Sequence, residues 1–219
     1  MKIIRNNGAS GTDDLSIRLQ TELSSNKRVL WLISGGSNIA YCVHVMEMLS
    51  GPHTKQLTIM LVDERYGPVG HPDSNWTQLL EAGMPNKQAT LLPVLQDDRS
   101  FEQTAESYRQ QTETAFTTHD LVIAQLGIGR DGHTAGILPG SPAALEQQAL
   151  VIGYEVAPYR RITMTFPALR QVQAAYVFAF GESKHEALIR LTTEQVDVTE
   201  QPAQILKQIP EVYLYNDQV

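Results

Sequence analysis

Four stretches of this chain are almost continuously apolar, and each runs straight into small or charged residues. Residues 28–34 (RVLWLIS) lead into Gly35-Gly36-Ser37, and residues 57–62 (LTIMLV) into Asp63-Glu64-Arg65. Residues 121–126 (LVIAQL) lead into a loop with three glycines, and residues 174–180 (AAYVFAF) into Gly181-Glu182-Ser183-Lys184. Short apolar runs without alternation fit strands buried on both faces. Segments of helical periodicity separate them: residues 13–26, 38–49, 74–81 and 99–116, and the stretch from Lys184 to about Thr192. Strands buried on both faces and alternating with helices predict a three-layer, Rossmann-like α/β fold: a mostly parallel open sheet with helices on both faces.

Weaker signals complete the outline. They are a short strand at residues 89–95, weak alternation at 150–155, a strand at 160–165, a short helix at 166–172, a helix near 202–208 and a last strand at 211–215. No repeat, low-complexity segment or linker interrupts the 219 residues, so one domain spanning 1–219 is expected.

In such a sheet the loops at the carboxyl ends of the strands gather along one edge. The loops after Ser34, Val62, Leu126 and Phe180 would therefore converge. Alone, each is weak: an Asp-Gly-His turn is as readily a capped turn as a site, and a charged triplet after a strand is often a solvated ion pair. Together they place the amides of Gly35, Gly36 and Ser37 at a helix start, the cations Arg65 and Lys184, the carboxylates Asp63 and Asp131, and His133. Amides at a helix N-terminus and nearby cations suit a phosphate. An imidazole beside a carboxylate suits proton transfer near neutral pH.

Composition narrows the ligand. A net charge of −7 argues against a general nucleic-acid binder, though a few cations in one pocket can still hold a small anion. Cys42 is the only cysteine, which excludes an intrachain disulfide and a Cys-rich metal site. His44, His53, His71, His119 and His185 are scattered, so no metal is expected. No G-x-S-x-G elbow occurs, which argues against a Ser-His-Asp hydrolase, and the absence of a Gly-Lys-Ser/Thr phosphate loop favours a small sugar phosphate over a nucleotide. No run approaches the length needed to span a bilayer, and residues 1–11 lack the apolar segment of a signal peptide; a cytoplasmic protein without membrane partners is expected.

The segments ISGGS (33–37), VDER (62–65), HPDSN (71–75), LGIGRDGHTAGILPG (126–140), RRITMTFPAL (160–169) and GESKHEAL (181–188) occur in that order. Together they resemble the 6-phosphogluconolactonases, a family related to glucosamine-6-phosphate isomerase/deaminase, and the likeness runs from about residue 30 to the C-terminus. The resemblance implies hydrolysis of 6-phosphoglucono-δ-lactone without metal or organic cofactor. It implies His133 as general base, Asp131 orienting it, and Arg65, Lys184 and the Gly35–Ser37 loop clamping the phosphate. Arg161 is a further candidate cation there, and Asp63 a partner for sugar hydroxyls. The sequence after His133, Thr134-Ala135-Gly136-Ile137-Leu138-Pro139, resembles the lactonase Thr-Ala-Ser-Leu-Phe-Pro, departing at Gly136 and Leu138. The deaminase branch instead carries Ile-Ala-Phe-Asn-Glu-Pro, whose Glu serves ring opening. A second departure is Asn38-Ile39, where Thr-Pro is common. Two alternatives stay open: an amino-sugar-phosphate isomerase or deaminase with Asp63 as base, and a non-catalytic sugar-phosphate binder. The small-molecule lactone is the expected partner, and the protein is expected as a monomer or homodimer.

Overall fold

Each of the four apolar runs forms a strand, and the pairing explains their lack of alternation. The computed structural model describes residues 1–5 and 8–219. Among these, β1 (Lys2–Arg5), β2 (Val29–Ile33), β3 (Leu57–Leu61), β5 (Thr90–Leu92), β6 (Leu121–Leu126), β9 (Ala174–Ala179) and β10 (Glu211–Asn216) form one sheet. Its order is β1-β10-β9-β6-β2-β3-β5, and every pair is parallel. All residues of β2, β3, β6 and β9 are buried, as a parallel sheet covered on both faces requires. The covering helices are α1 (Ala9–Ser24), α2 (Ile39–Met48), α3 (Asn75–Glu81), α4 (Phe101–Thr118), α5 (Pro142–Leu145), α6 (Phe166–Leu169) and α7 (His185–Thr193). The doubly covered parallel sheet expected from the sequence is the one observed.

A second sheet was not expected. β4 (Asp63–Arg65), β8 (Tyr159–Met164) and β7 (Val151–Val156) form an antiparallel sheet in the order β4-β8-β7. The charged triplet after β3 is thus a strand, not a loop at the sheet's edge. Val62 is the switch: its N–H donates to Ile33 O in the main sheet, and its carbonyl accepts from Met164 N in the small one. The weak alternation at 150–155 belongs to β7, whose two buried residues, Val151 and Tyr154, lie on opposite faces of the strand.

Several boundaries differ from expectation for local reasons. Strand β1 went unpredicted because Lys-Ile-Ile-Arg is short and largely exposed; it is held by parallel pairing to β10 at the sheet's edge. Helix α1 starts at Ala9, and its buried face is Gly11, Thr12, Leu15, Ser16, Leu19 and Leu23. Ile17, apolar and next to Ser16, points outward instead and is 62% exposed. The polar residues Thr12 and Ser16 replace it inside, their hydroxyls satisfied by carbonyls one turn back. Helix α4 begins at Phe101 because Ser100 and Gln103 close a capping box. A small apolar cluster of Ile137, Ala143, Ala144, Tyr154, Phe166, Leu169 and Ile205 stands apart from the main core and anchors the loop after β6.

Candidate active site

The carboxyl ends of β2, β3, β6 and β9 open into a cavity of about 220 Å³. Of the residues proposed from sequence, Gly35, Gly36, Ser37, Asp63, Arg65, His133, Arg161 and Lys184 line it. Asp131 does not; it stands behind His133.

The loop after β6 folds back on itself. His133 Nδ1 lies 2.6 Å from Asp131 Oδ1, and the His133 N–H donates to the same oxygen at 3.2 Å. Gly129 N–H donates to His133 O, Gly132 N–H to Gly129 O, and Thr134 Oγ1 to Gly127 O. The imidazole lies against Gly129 so closely that a Cβ there would meet Nδ1 at 2.0 Å, which only glycine avoids. The hydrogen bond from His133 pulls the Asp131 carboxyl down to about 2. An ionised carboxylate on Nδ1 keeps the ring proton there and leaves the Nε2 lone pair free.

Gly127, Gly129 and Gly132 fall at the G-x-G-x-x-G spacing of dinucleotide sites. That fingerprint needs a helix opening directly on the glycines. Here a Thr134–Ile137 bridge follows, and the next helix is the four-residue α5. The spacing therefore serves the His-Asp turn.

The cations come from the small sheet and from the start of α7. Arg65 of β4 and Arg161 of β8 are direct cross-strand partners. Arg160, on the opposite face of β8, pairs with Glu155 and Glu102 and stacks on Phe101, away from the cavity. Arg161 Nη1 lies 3.7 Å from Asp63 Oδ2. Burial pushes the Asp63 carboxyl up, against the opposing pull of Arg65, Arg161 and His133. Lys184 is the residue before α7. Opposite it, Gly36-Ser37-Asn38 form a single 3-10 turn before α2, with Gly36 at φ 60°.

Sequence reasoning missed Asn75 and Glu64. Asn75, the first residue of α3, lines the cavity and donates through Nδ2 to Asp63 O at 2.9 Å. Gly35 packs on it, since a Cβ at 35 would lie 2.0 Å from Asn75 Oδ1. Glu64 is fully buried and accepts from Arg65 N, Ser74 Oγ, Asn75 N and Trp76 N at 2.6–3.0 Å. It thereby ties β4 to the N-terminus of α3. Burial pushes its carboxyl up while those donors pull it down. The signal for Asn75 was the HPDSN segment, and that for Glu64 the triplet Asp63-Glu64-Arg65, in which its charged neighbours overshadowed it. Among the described residues no group of three or more His, Cys, Asp or Glu stands where it could hold a metal ion.

The profile of the glucosamine-6-phosphate isomerases/6-phosphogluconolactonase family matches residues 8–214. The chain belongs to this family. The family's 6-phosphogluconolactonase from Rattus norvegicus is 31% identical over 207 residues, covering 86% of this chain and 78% of that protein. The one from Synechocystis sp. is 28% identical over 166 residues, covering 71% and 68%. Among solved structures in the same fold, a 6-phosphogluconolactonase from Shewanella baltica gives a TM-score of 0.80 at 21% identity, covering 98% and 95% of the two chains. A monomeric glucosamine-6-phosphate deaminase gives 0.76 at 17%, covering 99% and 97%. At such identities the likeness between structures speaks for the fold, which both branches of the family share.

Proposed function

We propose that this chain hydrolyses 6-phosphoglucono-δ-lactone to 6-phosphogluconate, the second step of the oxidative pentose phosphate route. One observation carries the mechanism: the His133–Asp131 pair faces a cavity whose other wall is cationic. Asp131, ionised, holds the Nδ1 proton. Nε2 accepts a proton from water as that water attacks the lactone carbonyl carbon. The tetrahedral adduct then expels the ring oxygen, which takes the proton back from Nε2. Arg65, Lys184 and the amides of Gly35, Gly36 and Ser37 hold the phosphate, with Arg161 beside them; Asp63 accepts from a sugar hydroxyl.

The isomerase/deaminase alternative needs a second acid for ring opening. Among the described residues Asp63 is the only carboxylate lining the cavity, and residues 134–139 contain none. A pure sensor would have no use for a histidine held by a carboxylate at the cavity wall. The reading extends to a cytoplasmic protein working as a monomer or homodimer. No helix among the described residues is long and apolar enough to cross a membrane. Purified protein supplied separately with the lactone and with glucosamine 6-phosphate should release acid from the first and no ammonia from the second. Ammonia release would move the chain to the other branch.

A further inference from the structure

The cavity side of the small sheet carries two cations with too little counter-charge. Arg65 and Arg161 are directly opposed across the β4–β8 pair, where like charges repel. Among the described residues only Asp63 brings a carboxylate within salt-bridge distance of either, at 3.7 Å from Arg161. Arg65 donates through Nη1 to the carbonyl of Asp73, and the Nε atoms of both arginines are buried without a partner. What remains to hold them is the half-buried ring of Tyr159, two residues before Arg161 on the same face of β8. The guanidinium carbons of Arg65 and Arg161 lie 5.5 and 5.4 Å from its centroid. A π face is the negative end of the ring's quadrupole and attracts both cations at once. Tyr159 is not among the residues lining the cavity, so it acts through the arginines.

We propose that Tyr159 is a positioning residue of the anion site: its ring holds Arg65 and Arg161 side by side and aimed into the cavity, so that a phosphate meets donors already oriented. This deepens the proposed function and rests on its assignment of the phosphate to these arginines. Donors fixed before binding lose less side-chain entropy when the anion arrives. The ring face, not the hydroxyl, does this.

The test is steady-state kinetics on the lactone, with calorimetry of 6-phosphogluconate, for Tyr159→Leu, Tyr159→Phe and Arg65→Ala. Tyr159→Leu should raise KM and the product Kd by roughly three- to tenfold, the range open to partly solvated cation–π contacts, with kcat changed far less. Tyr159→Phe should restore most of the affinity. If the Leu variant melts early, Tyr159→Thr, suited to a strand, replaces it. A raised KM in Arg65→Ala beside an unchanged KM in Tyr159→Leu overturns the role of Tyr159 and leaves the phosphate reading standing. An unchanged KM in Arg65→Ala overturns the assignment of the phosphate to Arg65, and the role of Tyr159 with it. Equal losses in the Leu and Phe variants, or a fall in kcat as large as the rise in KM, also overturn it, because packing or the hydroxyl would then be responsible.

Discussion

His133 is one imidazole placed by a single loop, and its contribution can be isolated. His133→Ala should lower kcat by roughly 10²- to 10⁴-fold, the range for a positioned acid–base group, while calorimetry finds product affinity nearly unchanged. In the intact protein kcat/KM should fall on the acid side as the imidazole gains a proton, and that limb should vanish in the variant. Spontaneous lactone hydrolysis, faster in alkali, is subtracted at each pH. Asp131 does not account for the limb, because its carboxyl, pulled down to about 2, stays ionised through that range. A lowered carboxyl stabilises the fold above the ordinary value of about 3.9, and that stability is lost as pH falls toward the folded value. With its side chain 44% exposed, water screens most of the effect. The sharper measurement is the Asp131 carboxyl titration by NMR, which should move up toward the ordinary range in His133→Ala. A titration that stays near 2 in that variant would assign the shift to the backbone donors. At this scale the sequence was most legible: Asp-Gly-His carries its chemistry in residue types, and three glycines announce a tight approach. Arg161 was harder to read, because which arginine of Arg160-Arg161 faces the cavity depends on strand register.

Among elements, the one sequence reading handled least well is the small sheet. Three residues, Asp63-Glu64-Arg65, are too few to show a period, and their pairing partner lies about a hundred positions away. Glu64 shows the consequence. From sequence it is the middle of a charged triplet; in the fold it is the buried acceptor that joins β4 to α3. Glu64→Gln should therefore cost both stability and substrate affinity. Each carboxylate oxygen accepts two donors, so an amide nitrogen in place of one oxygen leaves two of them facing an N–H group. At about 1–3 kcal/mol per unsatisfied buried group the loss should be roughly 2–6 kcal/mol in denaturant unfolding. KM should also rise, since the bond from Arg65 to Asp73 O hangs on the loop that Glu64 fixes. A variant as stable as the parent would show that the loop is held by something else.

Over the whole molecule, the parallel sheet separates support from chemistry along the direction of its strands. This was legible in advance, because apolar runs ending in polar loops already have a functional end and an inert end. Edge strand β1 was not legible, since its place depends on β10, more than two hundred residues later. The polarity makes a contrast within β2. Leu30, near the amino end, is fully buried and paired in register with Thr58 and Val122, whereas Ile33 closes the strand beside the Ser34–Ser37 loop. Leu30→Ala removes core volume that the neighbouring strands cannot refill, a loss of about 2–5 kcal/mol. At about 2–4 °C per kcal/mol for a chain of this size, the melting temperature should fall by roughly 4–20 °C. At 25 °C, where the variant is still folded, KM and kcat should match the parent. Ile33→Ala should lose comparable stability and also raise KM, because the cavity it leaves lies under the Gly35–Ser37 turn that lines the candidate site. If both variants lost activity in proportion to stability, the sheet would be transmitting strain along its full length, and the division between its two ends would be wrong.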